Sequence, residues 1–74
     1  MKELMNLLKE VCPLTDFSKE KLLTDRVLDS MDIINIVGAI EGKYNISIEF
    51  ELITAENFDT VEAIYRMIDR IKKA

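Results

Sequence analysis

A chain of 74 residues with 49% apolar and 32% charged side chains, two glycines and one proline has the make-up of one small folded unit, helical rather than disordered or collagen-like. It contains no histidine, so the side chain best suited to moving protons near neutral pH is missing and a self-sufficient hydrolase is disfavoured. The net charge of −4 is uneven: residues 25–62 hold nine acids against Arg26 and Lys43, a balance of −7, and the remaining five acids and eight bases give +3, so the middle of the chain repels nucleic acid and suits basic protein surfaces.

Cys12 stands alone, which excludes an internal disulfide and a cysteine metal cluster and fits a reducing compartment. The opening MKELMNLLKEVC places charges in every turn and lacks the apolar stretch of a secretory signal. No apolar run approaches the roughly 20 residues that cross a bilayer. A cytoplasmic, monomeric protein without membrane insertion is the expectation.

The first helix is expected over about residues 2–11, because Leu4, Leu7, Leu8 and Val11 recur on one face before Pro13 ends the pattern. From Cys12 to Leu28 the period is lost. Turn formers (Pro13, Thr15, Asp16, Ser18) alternate with apolar anchors (Phe17, Leu22, Leu23, Val27, Leu28), which predicts a long ordered loop with a short helical turn around 19–23. A connection of that length points to a functional segment or to a missed element. A second helix opens at Asp29 or Ser30 and carries Ile33, Ile36, Val37, Ile40 and Tyr44 to an end near Asn45. Residues 46–50 alternate as a strand would, yet nothing in the chain offers a partner, so they predict an extended connection. Thr54 caps a brief helical turn through Asn57, and Asp59 or Thr60 caps a last helix to about Lys72, with Val61, Ile64, Tyr65, Ile68 and Ile71 on one face. Its basic end (Arg66, Arg70, Lys72, Lys73) complements the negative pole of the helix dipole. Tyr44, Phe50, Phe58 and Tyr65 are read as core or core-edge residues, and Cys12 as a small buried hydrophobe.

The segment Asp25-Arg26-Val27-Leu28-Asp29-Ser30-Met31-Asp32-Ile33-Ile34 carries the chemistry. A serine in the first turn of a helix, directly after a long loop, presents its hydroxyl where backbone N–H groups favour an attached phosphate. Asp29 and Asp32 flank it, but no base of suitable pKa lies nearby to make Ser30 a strong nucleophile, so the serine is the substrate of another enzyme. The bland alternatives are equally physical. Ser30 serves as an ordinary N-cap, and Asp29 and Asp32 as first-turn acids worth about 0.3–1 kcal/mol each.

These residues resemble the phosphopantetheine-binding carrier proteins, whose attachment motif Asp-Ser-Leu stands here as Asp29-Ser30-Met31. The similarity continues through Ile40-Glu41-Gly42-Lys43-Tyr44-Asn45-Ile46 and Glu56-Asn57-Phe58-Asp59-Thr60-Val61, and spans essentially the whole chain. It implies an all-α, acyl-carrier-protein-like four-helix bundle, right-handed, with three long helices, one short helix and a long first loop, residues 1–74 forming a single carrier domain. It further implies that a holo-carrier-protein synthase transfers 4′-phosphopantetheine from coenzyme A to Ser30 with magnesium. Partner enzymes, an adenylating ligase or acyl-transferring and condensing enzymes, then dock on the second helix through Asp29, Met31, Asp32, Ile34 and Glu41. The carrier itself catalyses nothing.

Met31 takes the contact usually made by leucine, a mild substitution. Ile34, one turn after Ser30 on the same face, is expected to be exposed beside the arm, although burial of Met31 and Ile34 against the loop stays open from pattern alone. Arg26 stands where the family often has glycine. Asn35, Gly42 and Lys43 occupy places where carriers of fatty-acid synthesis often keep acids. The phrases Leu23-Thr24-Asp25-Arg26-Val27-Leu28-Asp29-Ser30 and Ala55-Glu56-Asn57-Phe58 look more like stand-alone D-alanyl and aminoacyl carriers. An acyl carrier of fatty-acid or polyketide synthesis and an unmodified acidic interaction module are the alternatives, and Gly38, two turns past Ser30, is a candidate for shaping an acyl cleft.

Overall fold

The computed structural model describes residues 1–74 as four helices and no strand: α1 (Lys2–Val11), α2 (Ser30–Tyr44), α3 (Ala55–Phe58) and α4 (Val61–Lys73), with a 3-10 turn (Phe50–Leu52) before α3. The expected all-α bundle of three long helices and one short one is what forms. Its radius of gyration, 11.1 Å, matches the value of about 11 Å expected for this length.

α1 buries Leu4 and Leu8 and stops at Cys12, whose N–H still donates to the Leu8 carbonyl. Pro13 pushes Cys12 out of the helical region, to φ −130° and ψ 74°. α1 lies against both α2 and α4. It runs antiparallel to α2, since Glu3 near its start lies 4.0 Å from Lys43 near the end of α2, and Cys12 just past its end meets Asp32 near the start of α2. α2 turns Ile33, Ile36 and Ile40 inward and ends at Asn45 in the left-handed region, a conformation asparagine tolerates well. α4 buries Val61, Ile64, Met67 and Ile68, with the Thr60 hydroxyl accepting the Ala63 N–H at 2.9 Å as its N-cap. The structure departs from the expected α4 face in one respect: Met67 takes the core position, and Tyr65 stays 42% exposed.

The loop from Cys12 to Asp29 is ordered by burial and by hydrogen bonds. Phe17, Leu22 and Leu28 join the core, each worth at most about 1.5–3 kcal/mol. Its helical turn falls later than expected: the Asp25 N–H donates to the Lys21 carbonyl and the Arg26 N–H to that of Leu23. Arg26 then adopts φ 55°, a backbone state that costs a non-glycine residue on the order of 1 kcal/mol or more. Glycine adopts that conformation without this cost. The Leu28 N–H closes the loop on the Leu22 carbonyl at 2.9 Å, immediately before α2.

Asp59, between α3 and α4, fastens this loop to the other half of the molecule. Its carbonyl accepts the Leu22 N–H, and its carboxylate accepts the N–H groups of Leu23 (3.0 Å) and Thr24 (2.7 Å) together with the Thr24 hydroxyl (2.6 Å). Asn57, the one buried polar residue, gives its amide N–H to the Leu52 carbonyl and accepts from Arg70, so the 3-10 turn is tied to α3 and α4 in the same way.

Two further expectations fail, one of burial and one of a cleft. Phe50, read as core, is 82% exposed on the 3-10 turn, because the extended connection from Ile46 spends its buried position on Ile48. Gly38 faces open space, with nothing within 4 Å of where a Cβ would stand, so it shapes no cleft. Phe58 is fully buried and Tyr44 half-buried, as expected.

The hydrogen bonds from Thr24, followed by those from Leu23, hold the Asp59 carboxyl below its ordinary value of 3.8. A depressed carboxyl stabilises the fold above its unfolded-state value and loses that contribution as pH falls through the folded value. Asp59→Asn should therefore lower stability at pH 7 and flatten the fall of stability below about pH 4, where the wild type loses this contribution. Urea unfolding at pH 7 and pH 3 measures both effects. Asp59→Ala is expected to cost about 1–2 kcal/mol at pH 7.

Candidate functional site

α2 is opened by a reciprocal pair of aspartates. The Asp32 N–H donates to Asp29 Oδ1 at 2.9 Å, and the Asp29 N–H donates to Asp32 Oδ2 at 3.2 Å, so Asp29 is the N-cap and Ser30 the first helical residue. The reading of Ser30 as a plain N-cap is thereby overturned. Ser30 is exposed, and its hydroxyl enters no hydrogen bond with another protein group. The Ile33 N–H goes to the Asp29 carbonyl, which leaves the N–H groups of Ser30 and Met31 for an acceptor outside the helix.

Cys12 braces this pair from α1. Burial and then the nearby charge of Asp32 push the Cys12 thiol pKa up, so it stays protonated and donates to Asp32 Oδ1 at 3.7 Å. The sequence reading of Cys12 as a buried small side chain holds, at 7% exposure.

Ser30 sits between two shallow depressions. One, of about 400 Å³, is lined by Leu23, Arg26, Leu28, Asp29 and Ser30 itself. The other, of about 390 Å³, is an apolar groove lined by Leu23, Ile33, Ile34, Phe50 and Ile53, with Ser30 at its edge. Met31 is 63% and Ile34 62% exposed, so the alternative that the loop buries them is excluded. Sequence reasoning missed Leu23, Phe50 and Ile53 as neighbours of Ser30, having assigned apolar residues far along the chain to the core. A signal was present, since Phe50 lies between Glu49 and Glu51, and flanking acids mark an exposed turn.

Glu41 shares the Ser30–Ile34 face by register, three turns along α2. Its Oε2 accepts the Ile48 N–H at 2.8 Å, so it fastens the connection after α2. This structural task distinguishes Glu41 from the unengaged Met31 and Ile34.

The arrangement offers an accessible alcohol, a helix N-terminus and apolar walls, with no group beside Ser30 suited to taking its proton. No three His, Cys, Asp or Glu side chains converge to hold a metal. Chemically this is an acceptor for a group delivered by something else.

Asp29→Ala should loosen the start of α2 by about 0.5–2 kcal/mol, whereas Asp29→Asn, an equally good cap, should stay within a few tenths. Amide exchange at Asp32 and Ile33 distinguishes the two; equal protection in both variants would show that the aspartate pair does not hold the helix start.

Residues 2–68 match the family described as PP-binding, phosphopantetheine attachment site. The chain is also similar to aminoacyl carrier protein 1 of Bradyrhizobium diazoefficiens, with 31% identity over 68 residues, covering 92% of this chain and 76% of that protein. No solved structure matches it. An exposed helix-opening serine in a four-helix bundle, together with a match over residues 2–68, places the chain among the phosphopantetheine-binding carrier proteins, whose prosthetic group is a covalently attached 4′-phosphopantetheine.

Proposed function

We propose that Ser30 is the residue esterified by 4′-phosphopantetheine and that residues 1–74 work as one carrier unit for an aminoacyl group. The single observation that carries this reading is the exposed Ser30 hydroxyl, relieved of capping by Asp29. The residues fit the group: one free alcohol, two unpartnered N–H groups at the positive pole of α2, and open depressions on either side. In the transfer, the Ser30 oxygen bonds to the phosphorus carrying the pantetheine of coenzyme A, the pyrophosphate bond breaks, and the adenosine bisphosphate leaves while the hydroxyl proton is taken up outside this chain. When bound, the arm supplies a thiol that holds cargo as a thioester.

The donor of the arm is a holo-carrier-protein synthase, and the cargo comes from an adenylating ligase. The chain catalyses neither step, having no histidine and no base at Ser30. Asp29, Asp32, Met31 and Ile34 form the docking surface around the serine, with Glu41 contributing at its far edge. The reading takes the chain to work as a monomer in the cytoplasm, and a single free cysteine, buried in the fold, suits a reducing compartment. The aminoacyl cargo is supported by the relative's name and by the shallow, open form of the groove, which suits a small group in solvent.

A second reading has its own observation. The apolar groove of Ile33, Ile34, Phe50 and Ile53 beside Ser30 favours a fatty acyl or polyketide chain lying against the protein.

Incubation with coenzyme A and a promiscuous phosphopantetheinyl transferase is expected to add about 340 Da, and Ser30→Ala to abolish the gain. A wild-type chain that stays at its unmodified mass would instead be an acidic interaction module. With the holo form in hand, an octanoyl thioester is expected to leave amide exchange at Ile33, Ile34 and Ile53 unchanged. Strong new protection there would move the cargo to the acyl class.

A further inference from the structure

Arg26 is the only basic residue between positions 22 and 42, a stretch that also holds Asp25, Asp29, Asp32 and Glu41. Its guanidinium pairs with none of them: no carboxylate lies within 4.0 Å of it, although the chain's three salt bridges include exposed pairs of this kind. Arg26 instead helps line the depression that includes Ser30, in company with Leu23, Leu28 and Asp29. A phosphodiester on Ser30 would add a further negative charge to a neighbourhood already carrying Asp25, Asp29 and Asp32. Arg26 is the one cation lining either depression at Ser30, and its planar fork of donors matches phosphate oxygens.

We propose that Arg26 is a positioning residue for the prosthetic arm: its guanidinium pairs with the phosphodiester on Ser30 and holds the first part of the arm against the loop side of the serine, away from the apolar groove. This rests on the assignment of Ser30 as the attachment residue. The consequence is directional. A tethered phosphate steers the arm's exit from the protein, and Arg26 biases that exit toward the Leu23–Leu28 wall rather than over Ile34 and Phe50.

The test compares apo and holo forms of the wild type, Arg26→Lys and Arg26→Gln, each loaded with coenzyme A and a transferase and verified by mass. Because Arg26→Gln keeps a side chain at the same left-handed backbone position, it removes the charge without changing the strain. At about 10 mM salt, loading is expected to raise the thermal midpoint of the wild type relative to its effect on Arg26→Gln by about 2–4 °C, with Arg26→Lys between them. The difference should shrink at 0.5 M salt, where charges more than a few ångströms apart are screened. The ³¹P shift of the holo form should move in Arg26→Gln. Equal loading increments and equal ³¹P shifts in all three proteins would overturn the role of Arg26, including the case where only the rate of loading changes, which would assign the arginine to the transferase. A wild-type chain that gains no mass would sink the Ser30 assignment instead.

Discussion

The Asp59 carboxylate is the fastening on which the site depends. The loop from Cys12 to Asp29 is too long to hold one shape through its own turns, and apolar anchors alone fix its depth in the core but not its register. Three hydrogen bonds to one carboxylate, and a fourth to the same residue's carbonyl, set where Leu22, Leu23 and Thr24 lie along the α3–α4 junction. Leu28 closes on Leu22, and α2 begins two residues later. The position of Ser30 is therefore determined from the far side of the molecule, by a residue remote in sequence from the serine.

At the helix start, labour is divided between neighbours. Ser30 would be the ordinary cap for a helix opening here, and a serine occupied in capping has its hydroxyl turned onto the backbone. The Asp29–Asp32 pair removes that demand, and the Cys12 thiol steadies Asp32 from α1. The same two acids that look in the sequence like simple dipole partners are what leave the serine free. On the proposed reading, a capping function and an accepting function sit side by side because they fall on adjacent residues.

The three long helices were legible because their apolar periods are strong: Leu4 and Leu8, Ile33, Ile36 and Ile40, Ile64 and Ile68 all occupy the buried faces assigned to them. Exposure of Ile34 was expected from its place one turn after Ser30, but pattern alone left burial of Met31 and Ile34 against the loop open, because helix rotation is not fixed by period, and the structure decides it. What periodicity could not reach were the non-local ties. Asp59 to Thr24, Asn57 to Arg70 and Glu41 to Ile48 join residues with no sequence pattern in common; Asp59 was read as a candidate helix cap, Arg70 as a dipole partner and Glu41 as a docking residue. Phe50 failed for a related reason: hydrophobicity predicts burial only where an element has a face to turn inward, and a single 3-10 turn has none to spare.

Most charge on α2 is committed internally. Asp32 serves Asp29 and Cys12, Glu41 serves Ile48, and Lys43 lies 4.0 Å from Glu3, while Asn35, Gly38 and Gly42 leave the remaining exposed positions uncharged. On the proposed carrier reading, a partner approaching Ser30 feels the −7 balance of residues 25–62 at long range and meets apolar side chains at contact. Electrostatics of this kind sets the rate and direction of encounter, and desolvated apolar anchors set its lifetime. On the proposed carrier reading, discrimination among partners then rests on the shape formed by Met31, Ile34 and Phe50, because a diffuse acidic field attracts every basic surface alike.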